Sequence, residues 1–164
     1  MEADFLEEIR PGLWTWTGEH PEWTAEMTWG PEVRSYAVQI EDERYLIDPV
    51  LPAPRADGIL LTVPWHRRDS DELELPVLEI PPAGIEAVAG YCAEETAFWL
   101  PAHKAIVLGD GIPDGHTAPI QWETDDPEAT TRLRALLELP FDLVLPTHGE
   151  VTDRVSFEAS LDVG

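Results

Sequence analysis

The stretch LLTVPWHRRDS, residues 60–70, runs an apolar segment into a turn crowded with ionisable side chains. Ile59 to Val63 reads as a short strand buried on both faces, because such strands are continuously apolar rather than alternating. The turn that follows holds His66, Arg67, Arg68 and Asp69 in succession. Imidazole and carboxylate are metal ligands, so the stretch has the form of a metal-binding loop in which most ligand positions carry other residue types.

Working outward, the upstream third is β-rich by pattern. GLWTWTGEH alternates Leu13, Thr15 and Thr17 with Trp14 and Trp16, which predicts a strand with one aromatic face. RSYAVQI and RYLIDPVL flank the polar turn Glu41-Asp42-Glu43 and predict a hairpin. Downstream, LELPVLEIPP has too many prolines for a helix and reads as an edge strand or extended loop. TAFWLPAHKAIVLGD predicts two strands around Pro101–Lys104. DPEATTRLRALLELP is the best helix: Asp126 suits the N-cap, Pro127 the first turn, Leu133, Leu136 and Leu137 one face, and Pro140 the stop. FDLVLPTHGE then reads as strand and loop. The expected order is many strands, a late helix and a last strand, with low helix content and one domain over residues 1–164.

Composition narrows the function. The net charge of -23 arises from 33 acidic against 10 basic residues, with Lys104 the single lysine. A surface of that sign repels nucleic acid and anionic membranes, whose binding rests on lysine and arginine neutralising phosphates. The acids are scattered, as on a solvated surface. Either adaptation to high salt, where the Debye length falls to about 3 Å near 1 M, or an arginine-preferring codon bias accounts for the balance. Cys92 is the one cysteine, so no intramolecular disulfide forms and a reducing cytoplasm is expected. The acidic start, MEADFLEEIRPG, lacks the basic and apolar regions of a signal peptide. With 43% apolar residues and seven tryptophans the chain can build a core, and no run approaches the roughly 20 apolar residues of a membrane span.

The order of elements resembles the metallo-β-lactamase superfamily: strand, LT, a short histidine-bearing loop, a strand ending GD, and a strand ending LPTHG. YLIDPVL resembles the superfamily's strand ending in D-P. The resemblance spans about residues 10 to 150 and implies an αββα sandwich, here shortened and strand-rich with few helices. It also implies ligands from a T-H-x-H-x-D-H loop, a G-H, the aspartate of G-D and the histidine of P-x-H-G. Laid on Thr62, the loop pattern puts Val63 or Pro64 at the first histidine; with His66 as the second, Pro64 takes the first position, Arg68 the aspartate and Asp69 the last histidine. Tyr91 in AGYC overlies the third histidine, while Asp110 and His148 match. Three of seven ligand positions are therefore met.

That count implies a decayed binuclear site. Pro64 has no donor, and a phenol such as Tyr91, with an ordinary pKa near 10, is a poor zinc ligand. A guanidinium about 5 Å from a dication would cost roughly 6 to 7 kcal/mol at an effective dielectric of 20, against roughly 10 to 16 kcal/mol for good structural zinc sites. The first expectation is thus a protein without metal, non-catalytic or weakly active, binding a small molecule in a cleft lined by His66, Arg67, Arg68, Asp69, Tyr91, Asp110 and His148. In it Arg68 pairs with Asp110 in an Arg-Asp-His cluster. The alternative is a hydrolase of an ester, thioester or lactone holding one zinc, iron or manganese ion at Asp69, Asp110 and His148. Either way, which of Arg67 and Arg68 faces inward depends on a one-residue shift. The segment DSDELELP after the loop has room for one or two helical turns, and the apolar sheet face this leaves predicts a homodimer. His116 falls after the GD and reads as a loop residue; His20 and His103 read as solvent-facing.

Overall fold

The computed structural model describes residues 4–27, 30–110 and 128–162, and the chain forms two compact units, Met1–Pro81 and Pro82–Gly164. The first unit is a five-stranded sheet in sequence order: β1 (Glu7–Arg10), β2 (Leu13–Glu19), β3 (Glu32–Ile40), β4 (Glu43–Ile47) and β5 (Gly58–Leu60). β1 to β4 are antiparallel neighbours, whereas β5 joins parallel to β4 with Ile47 opposite Leu60.

The aromatic strand and the hairpin form where the pattern places them. Trp16 is buried with Val33, Ala37, Leu46, Val50 and Ile59, and its indole N–H donates to the carbonyl of Val50 at 2.9 Å, which meets the polar demand of a buried tryptophan. Trp14, two residues earlier on the same face, is half-buried beneath the Arg44 guanidinium at 4.3 Å. Ile40 pairs with Glu43 across the hairpin, and Glu41 takes the left-handed conformation, φ 56°, that such short turns require. The proline-rich segment is extended: Val77 bridges Ile59, with Ile59 N donating to Pro76 O and Leu78 N to Ile59 O, both at 2.8 Å. After the histidine loop the chain makes one short 3-10 turn, Ser70–Leu73, within the one or two turns the spacing allowed.

The second unit is a sheet of order β10-β9-β8-β7-β6, built from β6 (Glu86–Ala89), β7 (Thr96–Leu100), β8 (Ala105–Leu108), β9 (Leu143–Pro146) and β10 (Thr152–Asp153). β7 and β8 form the expected hairpin, with Lys104 left-handed at φ 50°. β8 and β9 are parallel, and the helix α1 (Ala129–Ala135) lies in sequence between them, as a parallel crossover demands. α1 continues as a 3-10 turn, Leu136–Glu138, and buries Ala129, Leu133 and Leu136. Asp126 and Pro127, read as its cap and first turn, lie outside the described residues, as do His116, Trp29 and Trp122.

Beyond the expected last strand come β10 and a second helix, α2 (Arg154–Asp162). Its apolar face is thin, Phe157 and Leu161 with Ser160 between, all buried, so helical periodicity is faint. Its start is nonetheless marked by Asp153, whose carboxylate accepts the backbone N–H of Ser156 at 2.8 Å as a helix N-cap does; that bond holds the Asp153 carboxyl below its ordinary value. Arg154 fixes the helix in place: Nη1 donates to Leu139 O at 2.7 Å and Phe141 O at 3.1 Å, Nη2 donates to Leu137 O, and the guanidinium covers the Phe141 ring at 4.7 Å. Arg154→Met keeps the stem and strips these carbonyls of a charged donor, so denaturant unfolding should show a loss of about 2 kcal/mol; a loss below about 0.5 kcal/mol would show that water replaces the arginine.

Candidate functional site

Each unit carries the same device. Parallel strands place their carboxyl ends on one edge, and the loops leaving that edge are where open α/β sheets gather functional groups. In the first unit Ile47 pairs with Leu60, so Asp48 and Thr62 leave the β4–β5 edge together. In the second, Leu108 pairs with Pro146, so Asp110 and His148, each two residues beyond its strand, leave the β8–β9 edge together.

The first-unit constellation centres on Asp48, which is fully buried. Oδ1 accepts Thr62 N–H at 2.8 Å, Oδ2 accepts the Thr62 hydroxyl, and Oδ2 lies 2.8 Å from His66 Nδ1. His66, 2% exposed, sits on the 3-10 turn Pro64–Arg67, which Pro64 begins and the bond from His66 N to Val63 O closes at 3.0 Å. Burial alone would push the Asp48 carboxyl up, but the attraction and hydrogen bond of His66, the charge of Arg68 and the Thr62 hydroxyl together hold it below its ordinary value. Ionised Asp48 can only accept, so His66 donates its Nδ1–H to the carboxylate, which leaves the imidazole lone pair on Nε2. That carboxylate–histidine pairing is how metal-ligating histidines are oriented.

The two arginines diverge. Arg67 points outward and pairs with Asp71 at 2.6 Å, both side chains more than half exposed. Arg68 turns inward, its Nη1 donating to Asp48 O at 2.6 Å and Arg34 O at 3.1 Å. Asp69 is half-buried, and its Oδ2 accepts Leu51 N–H at 2.9 Å. Of the residues singled out in the first unit, His66 and Arg68 therefore converge on Asp48, while Arg67 does not. Asp48 itself was not read as a site residue; the signal was the D-P of YLIDPVL, together with the Thr62 of LT.

In the second unit His148 Nε2 lies 3.2 Å from Asp110 Oδ1, and both residues are buried. Tyr91 is buried too; its backbone N–H donates to Glu95 Oε2 at 2.9 Å. Burial first, then the charge of Asp110, raise its phenol well above the ordinary range, so Tyr91 stays neutral. Gly90 has no room for a side chain, since a Cβ there would stand 2.2 Å from Glu95 Oε2. The Cys92 thiol is pushed up, chiefly by burial, which removes it as a nucleophile near neutral pH.

The donor chemistry fits a metal. Two ligands of one tetrahedral ion at bonds of about 2.0–2.1 Å stand roughly 3.3 Å apart, close to the Asp110–His148 separation. Two histidine residues read as solvent-facing divide: His103 is half-buried, whereas His20 is buried and its Nδ1 accepts Glu22 N–H at 3.0 Å, a local turn bond that the neighbouring Pro21 did not advertise. Trp65, beside His66, is 49% exposed.

Comparison with solved structures identifies the fold. A metallo-β-lactamase from Erythrobacter litoralis matches with a TM-score of 0.68 at 13% identity, over 96% of this chain and 90% of that one. One from Pontibacter korlensis gives 0.68 at 13% identity, over 97% and 99%. The metallo-β-lactamase FIM-1 from Pseudomonas aeruginosa, solved in a mono-zinc form, gives 0.64 at 15% identity, over 95% and 92%. No family model and no curated protein matches the sequence. The chain has a divergent metallo-β-lactamase-like fold, strand-rich and, among the described residues, with few helices. Among the described residues no helix is long and apolar enough to cross a membrane.

Proposed function

We propose that the chain is one metallo-β-lactamase-like domain whose binuclear centre is reduced to a single metal, for which His66, Asp110 and His148 are the ligand positions that the resemblance matches, and that it hydrolyses a small ester, thioester or lactone weakly. These three are buried side chains of the ligand classes zinc, iron and manganese take. The observation that carries the reading is the Asp48–His66 pair, which sets the histidine tautomer for ligation. Two facts support it. Arg68 engages the carbonyls of Arg34 and Asp48, so its charge is partly absorbed within its own unit. FIM-1 was solved with one zinc, so this fold accommodates a one-metal state.

The set departs from the alternative drawn from sequence, in that His66 stands where Asp69 was placed; the Asp69 carboxylate is already engaged by the Leu51 amide. Three protein ligands would be the number that catalytic zinc sites take from the protein. The chemistry of the ion when bound is Lewis-acid polarisation of a carbonyl oxygen. Asp48 keeps the proton on His66 Nδ1, and Tyr91 keeps its own proton at Oη as a neutral hydrogen-bond donor.

A metal-free reading is favoured by one observation: His148 Nε2 and Asp110 Oδ1 already stand at ion-pair distance, 3.2 Å apart. In that reading Arg68 completes an Arg-Asp-His cluster with Asp110 that binds a small molecule. Elemental analysis of purified protein separates the two. We expect about one equivalent of metal, falling to a background level in Asp110→Ala. Metal-free protein that is stabilised by compounds in a thermal screen would favour the cluster, and metal-free protein that responds to none would leave a partner-binding module.

A further inference from the structure

Arg68 leaves the histidine turn in the left-handed region, φ 47°, and its side chain runs back to β3 and the end of β4, where Nη1 bridges the carbonyls of Arg34 and Asp48. The Asp48 peptide is held from other directions as well. Its N–H donates to Leu60 O at 3.1 Å, its carbonyl also accepts the Ser35 hydroxyl at 2.7 Å, and Ser35 Oγ accepts Val50 N–H at 3.1 Å. Such fixing has a reason: Asp48 lies at φ 49°, where a residue other than glycine persists only when its surroundings over-determine it. Released from the clamp, Asp48 would relax toward ordinary φ and swing its carboxylate off Thr62 and His66.

We propose that Arg68 is a positioning residue for His66, acting through the Asp48 backbone: the guanidinium clamps the Asp48 carbonyl, the strained backbone aims the carboxylate, and the carboxylate orients the imidazole. The inference rests on His66 being the metal ligand of the proposed function. The position is the one at which the resemblance places a ligating aspartate, so a ligand has been exchanged for a clamp. Arg67, one residue earlier and equally cationic, points to solvent and has no part in it.

Long-range proton–nitrogen NMR on the full chain without metal reads the His66 tautomer, and titration with zinc alone reads affinity. Wild type should hold the proton on Nδ1. Arg68→Ala should show mixed tautomers and bind zinc at least tenfold more weakly with unchanged stoichiometry; Arg68→Lys, able to reach one carbonyl, should fall between, and Arg67→Ala should match wild type. An Arg68→Ala protein with the wild-type tautomer and an affinity within twofold overturns the proposal, as does an equal effect from Arg67→Ala. If Arg68→Ala does not fold, Arg68→Lys decides: an intermediate loss supports the clamp and wild-type behaviour refutes it. Should wild type bind no zinc, the proposed function fails on its own, while the tautomer comparison still tests the clamp.

Discussion

Asp48→Ala is expected to destabilise the fold by about 3–5 kcal/mol, the range for removing one partner of a buried ionic pair. The change leaves the Thr62 amide, the Thr62 hydroxyl and the His66 Nδ1 proton without their shared acceptor, and it removes the counter-charge of Arg68. Each group left buried and unsatisfied adds its own desolvation penalty. Denaturant unfolding measures the loss, and a value below about 1 kcal/mol would mean that water enters and substitutes for the carboxylate. The pH dependence carries a second signature. The folded state holds this carboxyl below its ordinary value, so its contribution is complete above the unfolded carboxylate pKa and is lost as acidification passes the folded one. The acid limb of the stability curve should therefore be shallower in Asp48→Ala than in wild type.

Phe157→Ala should cost a similar amount, about 3–5 kcal/mol, by the cavity it leaves. Phe157 is fully buried and meets the Phe141 ring edge-on with centroids 5.7 Å apart, at the centre of the cluster formed by Trp99, Ile106, Leu133 and Val144. Val155, on the same helix but 76% exposed, supplies the contrast: Val155→Ala should change stability by less than about 0.5 kcal/mol. Equal effects at the two positions would mean that α2 contributes through helix propensity rather than through packing.

The helix those residues sit on was the least legible part of the chain. With Phe157 and Leu161 as its principal apolar anchors, α2 has little amphipathic signal; it forms because Asp153 caps it and because Arg154 and Phe157 dock it. The long apolar runs were legible for the opposite reason. Strands such as GILLTV and KAIVLGD bury both faces, so their composition alone announces them, and turns at Glu41 and Lys104 follow from the polar residues between them. The resemblance carried the fold further than periodicity could, since it used the order of LT, GD and PTHG and not the character of any one segment.

The site divides along the same line. The identities of His66, Asp110 and His148 as ligand-type residues were readable, because loops following short apolar strands are where such groups gather. Which arginine turns inward was not, for a one-residue shift on a 3-10 turn reverses it, and only the carbonyls of Arg34 and Asp48 decide in favour of Arg68. Nor could Asp48 be recognised as the hub, because its role depends on parallel pairing that sets the ends of β4 and β5 side by side. The sequence by itself determined the strand-rich fold and the acidic composition; tertiary structure decided the partners, because hydrogen bonds between residues 14 to 34 positions apart exist only once the strands have paired.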